Sequence, residues 1–121
     1  MNKITNPKPY DLEERTFQFA LRSRDFVKKL PKNIVNIEYG KQFTRSAGSQ
    51  AANYIEANES LSKKDFAMRI KISRKETKES CLWLRLFDIN NIPDLLKEQE
   101  LLIQEAIELR KIFTSILDKS Q

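Results

Sequence analysis

Histidine is absent from the sequence, and cysteine, glycine and proline are scarce, with one, two and four residues respectively in 121. Without histidine the chain cannot assemble a Ser-His or Cys-His nucleophile pair, nor the Glu-x-x-His motif through which helical bundles bind two irons. The lone Cys81 has no partner for an intramolecular disulfide and no second cysteine at metal-site spacing, which fits a reducing compartment and a cytoplasmic location. Gly40 and Gly48 make no glycine-rich phosphate loop. Neither a signal-peptide core nor an apolar run of spanning length occurs, so no membrane partner is expected. Glu76 and Glu79 have the i,i+3 spacing of helical metal ligands, but Lys75 and Lys78 beside them make ion pairing the simpler reading. No metal, cofactor or catalytic residue is expected, and the chain reads as non-enzymatic.

What is present is helical periodicity on the scale of one domain. Pro7, Pro9 and Pro31 stand outside the periodic runs, and Pro93 falls between two of them. Residues 1–10 carry no pattern and read as an N-terminal arm, leaving a bundle over 11–119. A first helix is expected over 11–30, opened by an Asp11/Glu14 capping box, with Leu12, Phe19, Ala20, Ser23, Phe26, Val27 and Leu30 on one face. Lys28 and Lys29 occupy its last turn before Pro31. A second, over 34–58 and capped by Asn33 or Asn36, places Phe43, Ala47, Ala51 and Tyr54 inward. Its other face, Gln42, Arg45, Ser46, Ser49, Asn53 and Glu56, is mostly short and polar, suited to close approach by another backbone. That face is expected to be buried, with Arg45 and Glu56 in one network.

Ser62 with Asp65 caps a third helix over 62–89, and Leu61 is positioned to clasp Phe66 as a hydrophobic staple. Asn90 and Asn91 suit a left-handed helix end, and Pro93 opens a fourth helix over 93–118 with Leu95, Leu102, Ala106, Leu109, Phe113 and Ile116 inward. Four helices with short connections specify an all-α, antiparallel, up-down-up-down four-helix bundle.

The third helix carries the functional pattern. At about 100° per residue, Phe66, Ile70, Ser73, Thr77, Cys81, Leu84 and Phe87 form a core face. Roughly opposite run Lys64, Lys71, Lys75, Lys78 and Arg85, a basic stripe on a chain whose net charge is +5. Beside the stripe lie Met68, Ile72, Leu82, Trp83 and Leu86, more apolar surface than one core can cover, which predicts an oligomer interface.

Arg45-Ser46-Ala47-Gly48-Ser49-Gln50-Ala51-Ala52-Asn53-Tyr54-Ile55-Glu56-Ala57, followed by Ser62, Asp65-Phe66, Lys75-Glu76, Glu79 and Trp83-Leu84-Arg85-Leu86, resembles a known family. It is the four-helix-bundle family first noticed as reading frames in intervening sequences of bacterial large-subunit ribosomal RNA genes. The likeness extends to the opening helix ending in Leu-Pro and to the closing Glu108-Leu109-x-Lys111-Ile112. It implies a homopentameric ring. It also implies kinship with the basic accessory protein of diversity-generating retroelements, which binds nucleic acid and a reverse transcriptase. For most members no activity is established. By position, Arg45, Ser49, Asn53 and Glu56 would be the polar signature of the second helix, with Lys75 and Glu76 as counterparts on the third. Ile55 stands where relatives often carry Arg, and the Asn58–Leu61 loop lacks their basic residues, which argues against phosphate contact at that edge.

Two functions follow as expectations. In one, the stripe contacts RNA or DNA phosphates without reading bases, since no aromatics interleave it for stacking. In the other, the apolar face serves a protein-interaction scaffold and the lysines only solvate it.

Overall fold

The computed structural model describes residues 11–120, so the arm expected over 1–10 lies outside the described residues. Four helices follow in order, α1 Leu12–Lys29, α2 Ile34–Asn58, α3 Lys63–Leu86 and α4 Pro93–Lys119, with no strand among the described residues. Each helix packs on its chain neighbours and α4 closes against α1, giving the antiparallel four-helix bundle; the α2–α3 seam is the most extensive. No helix among the described residues is long and apolar enough to cross a membrane.

The helix ends obey local chemistry with two corrections. Asn33, not Asn36, caps α2, its side-chain oxygen accepting from the Asn36 N–H at 2.9 Å. Ser62 caps α3 by accepting from the Asp65 N–H at 3.0 Å. Asp11 precedes α1 in helical geometry (φ −83°, ψ −8°), so its side chain makes no capping bond and the capping box does not form. Glu13 and Glu14 still place negative charge at the positive end of that helix. Leu61 is wholly exposed and clasps nothing, while Phe66 packs directly on the core; the staple is absent. Leu30 leaves α1 in extended geometry (ψ 146°), as a residue before proline should.

Helix α3 ends at Leu86, three residues before the expected 89. Phe87 takes extended geometry (φ −67°, ψ 142°), which turns its ring into the core against Phe26 and Phe43, at centroid distances of 5.9 and 5.5 Å. Burying a phenylalanine contributes about 1.5–3 kcal/mol, more than a further helical turn would return. Asn90 and Asn91 then adopt left-handed backbone (φ 53° and 56°), and Pro93 starts α4.

Phe19, Phe26, Phe43 and Phe113 fill the interior with Ile70, Leu84, Leu102 and Leu109. In the last turn of α4 the inward position passes to Leu117, leaving Ile116 half-buried, because a 3.6-residue helix drifts against a seven-residue repeat. Between α2 and α3 the core becomes polar and tight. Ser46 and Ser80 hydroxyls lie 2.7 Å apart, Ser73 donates to the Gln50 carbonyl at 3.0 Å, and Gln50 Nε2 donates across to the Thr16 carbonyl at 2.8 Å. The serines bring two helix backbones close and satisfy their own hydroxyls, whereas Gln50, which reaches to α1, keeps a buried Oε1 with no donor among the described residues.

Candidate functional site

Positive charge is distributed unevenly in its pairing. On α1, Arg15 donates to Glu105 at 2.7 and 2.9 Å and to Glu108 at 2.8 Å, Arg22 lies 3.4 Å from Glu98, and Arg24 lies 3.1 Å from Asp25. The Glu105 hydrogen bond holds the Arg15 pKa above its ordinary value, and hydrogen bonds from Gln104 and Arg15 hold the Glu108 carboxyl below its own. Arg15 and Arg22 thus tie α1 to α4, whereas the Arg24–Asp25 pair is exposed and joins neighbours in sequence.

The lysines are less engaged: Lys28 and Lys29 of α1 are exposed with no carboxylate within 4.0 Å among the described residues, and so is most of the basic stripe of α3. Lys64, Lys71, Lys75, Lys78 and Arg85 are all exposed. Among the described residues, Lys64, Lys71, Lys78 and Arg85 have no carboxylate within 4.0 Å, whereas Lys75 lies 3.8 Å from Glu76. Steps of four, three, four, three, four and three residues link Lys64, Met68, Lys71, Lys75, Lys78, Leu82 and Arg85 into one outward ridge. The basic stripe and part of the apolar patch therefore share one surface rather than lying side by side. Met68, Leu82 and Leu86 are 48%, 46% and 41% exposed on it.

Ile72 and Trp83 do not belong to that surface. Both are half-buried, and the Trp83 ring packs on Tyr39 of α2 with centroids 5.5 Å apart and planes inclined by 31°. The expected interface set thus divides, with Trp83 covered by α2 and Ile72 only half exposed. Trp83 Nε1 is buried there with no acceptor.

The polar signature of α2 also differs from expectation. Arg45 reaches Glu76 at 3.2 Å and Glu79 at 3.3 Å, so the i,i+3 acids hold a guanidinium between them. Asn53 donates to the Ser49 carbonyl and hydroxyl at 3.0 and 3.1 Å, and Arg69 of α3 donates to Asn53 at 3.0 Å. Glu56 stays exposed and pairs with no cation among the described residues. The expected Arg45–Glu56 network is replaced by Arg45–Glu76, since eleven residues along one helix set the two side chains too far apart to meet. Of the short polar face, Ser46 is buried and Ser49 and Asn53 are half-buried, while Gln42, Arg45 and Glu56 face outward.

Sequence reasoning missed Arg69, Arg74 and Arg110. Arg69 and Arg74 flank the ridge and tie it to the neighbouring helices, Arg74 donating to Thr114 of α4 at 3.3 Å. Their positions at the edges of the α3 wheel were a usable signal. Arg110 had none, because it joins the ridge only through the packing of α4. No group of three or more acidic or thiol side chains placed to hold a metal occurs among the described residues.

The model of the 23S rRNA-intervening sequence protein family matches residues 9–115. The chain belongs to this family. A similar solved structure is a protein of unknown function from the S23 ribosomal protein family of Bacteroides thetaiotaomicron, determined by crystallography at 1.70 Å. It is 26% identical, covers 88% of this chain and 97% of its own, and superposes with a TM-score of 0.74. No curated protein matches the chain. The family is one of unknown function, so membership accounts for the bundle and leaves its activity to be argued from the surface.

Proposed function

We propose that this member of the family is a non-enzymatic, oligomeric bundle that binds the backbone of RNA or DNA through the outer ridge of α3. The observation that carries the reading is the alignment of the stripe: Lys64, Lys71, Lys78 and Arg85 are exposed without a carboxylate within 4.0 Å among the described residues and fall on one line of α3. Exposed, unpaired cations along one ridge can neutralise backbone phosphates and release their counterions without first breaking an ion pair of their own. No base-reading set accompanies them, so contacts should position the nucleic acid without specifying its sequence. Lys75, drawn toward Glu76, contributes least. A reverse transcriptase remains a proposed protein partner through the family resemblance.

Fluorescence anisotropy of labelled RNA and DNA of mixed sequence, titrated across salt concentrations, tests the reading. Affinity should fall steeply with salt, each phosphate contact adding about −0.9 to the log–log slope for duplex DNA and about −0.7 for single strands. The double variant Lys71→Glu, Lys78→Glu should weaken all sequences alike and flatten the slope without loss of helicity. No binding at low salt, or wild-type affinity in the double variant, overturns the proposal. The exposed Met68, Leu82 and Leu86 favour a second reading, in which the ridge docks another protein and the lysines solvate the contact.

A further inference from the structure

Beside the ridge a groove runs between α3 and α4, with a volume of about 420 Å³, within the range of clefts that hold small molecules. Lys75, Lys78 and Arg85 line it from α3 and Arg110 from α4, with Cys81 and Leu82 supplying its apolar part. The single acid in the lining, Glu79, is engaged at 3.3 Å by Arg45 from α2. Arg110 has no carboxylate partner among the described residues, and its Nε is buried with no acceptor. Four cations around a partly apolar groove complement a group that is anionic at one end and has carbon surface at the other.

Resting on the nucleic-acid reading, we infer that this groove seats a phosphodiester, its phosphate held by Arg110 together with Lys78 and Arg85 and its sugar against Leu82 and Cys81. The fork of an arginine suits two phosphate oxygens at once, and Lys78 and Arg85 add charge from the other helix. The nucleic acid therefore lies across the α3–α4 seam instead of along α3 alone, which makes Arg110 a binding residue outside the stripe.

Cys81 is the only cysteine in the chain and lines the groove, so its modification rate reports occupancy. The test follows thiol modification of the full-length protein with a maleimide, with and without a mixed-sequence oligonucleotide, alongside anisotropy measurements on Arg110→Gln and Arg110→Lys. The oligonucleotide should slow modification. Arg110→Gln should lose about tenfold in affinity, the loss expected for one hydrogen bond to a charged group, and should lower the salt slope by one contact. Arg110→Lys should keep the slope and lose part of the affinity. Undiminished binding by Arg110→Gln with unprotected Cys81 overturns the groove and leaves the ridge reading standing. Failure of wild type to bind any nucleic acid, with Cys81 protected by inorganic phosphate or a mononucleotide, overturns the ridge reading and keeps an anion groove. No protection by any of these ligands overturns the groove whatever the anisotropy shows.

Discussion

Asn36 shows how much one residue can organise. Its side-chain nitrogen donates to the Pro31 carbonyl at 2.9 Å and the Asp88 carbonyl at 2.7 Å, while its oxygen accepts from the Asp88 N–H at 2.9 Å. A buried amide thus locks the α1–α2 connection to the strand-like exit of α3, and with it the position of Phe87 in the core. Read from sequence, Asn36 was one of two possible helix caps; nothing local marks an asparagine that bonds a backbone fifty-two residues away. Replacement by alanine should strand the Asp88 N–H and carbonyl and lower stability by about 2–4 kcal/mol. Asn36→Asp should be no better, since a carboxylate retains the acceptor but turns an oxygen toward two carbonyls. Urea unfolding curves of the two variants check this, and wild-type stability in Asn36→Asp would contradict the assigned hydrogen bonds.

At the scale of the element, the helices were legible because their apolar spacing and stop signals are local. The Ser62 cap, the Leu30-Pro31 exit, the left-handed Asn90-Asn91 pair and the Pro93 start all follow from neighbouring residues. The early end of α3 was not legible, because it is decided by the cavity that Phe87 enters, a property of three helices together. The same limit applies to the site: the stripe can be read from one helix, whereas the covering of Trp83 by Tyr39 of α2 cannot. The two glycines of α2 illustrate the difference between local and packed constraint. A Cβ on Gly40 would meet Val27 Cγ1 at 3.4 Å, while one on Gly48 would meet nothing within 4 Å. Within the bundle, Gly48→Ala should therefore raise stability by about 0.5–1 kcal/mol through helix propensity alone. A lower melting temperature together with a smaller sedimenting species would instead place the outer face of α2 against another copy of the chain.

For the whole molecule the question is what covers the apolar surface that the bundle leaves in water. Met68, Leu82 and Leu86 remain exposed on α3, and a second set missed from sequence, Phe17, Ile34, Val35, Ile37 and Ile55, lies on α1 and α2 with exposures from 42% to 73%. Isolated exposed apolar side chains are ordinary, but Ile34, Val35 and Ile37 lie together at the start of α2 and Leu82 and Leu86 lie one turn apart on α3, leaving two patches that a second copy of the chain can cover. Self-association should follow, and sedimentation at micromolar concentration should show a species several times the chain mass, five times if the family resemblance extends to assembly. Because the α3 cluster shares its ridge with the lysines, the two surfaces make separable predictions. Ile37→Glu on α2 should reduce the mass if subunits meet through the α1–α2 edge, leaving nucleic-acid affinity per subunit intact. Leu82→Glu should reduce the mass if they meet through α3, and in that case a bound oligonucleotide should also dissociate the wild-type oligomer, because one ridge cannot serve both. A wild-type chain that sediments as a monomer would refute self-association through either face.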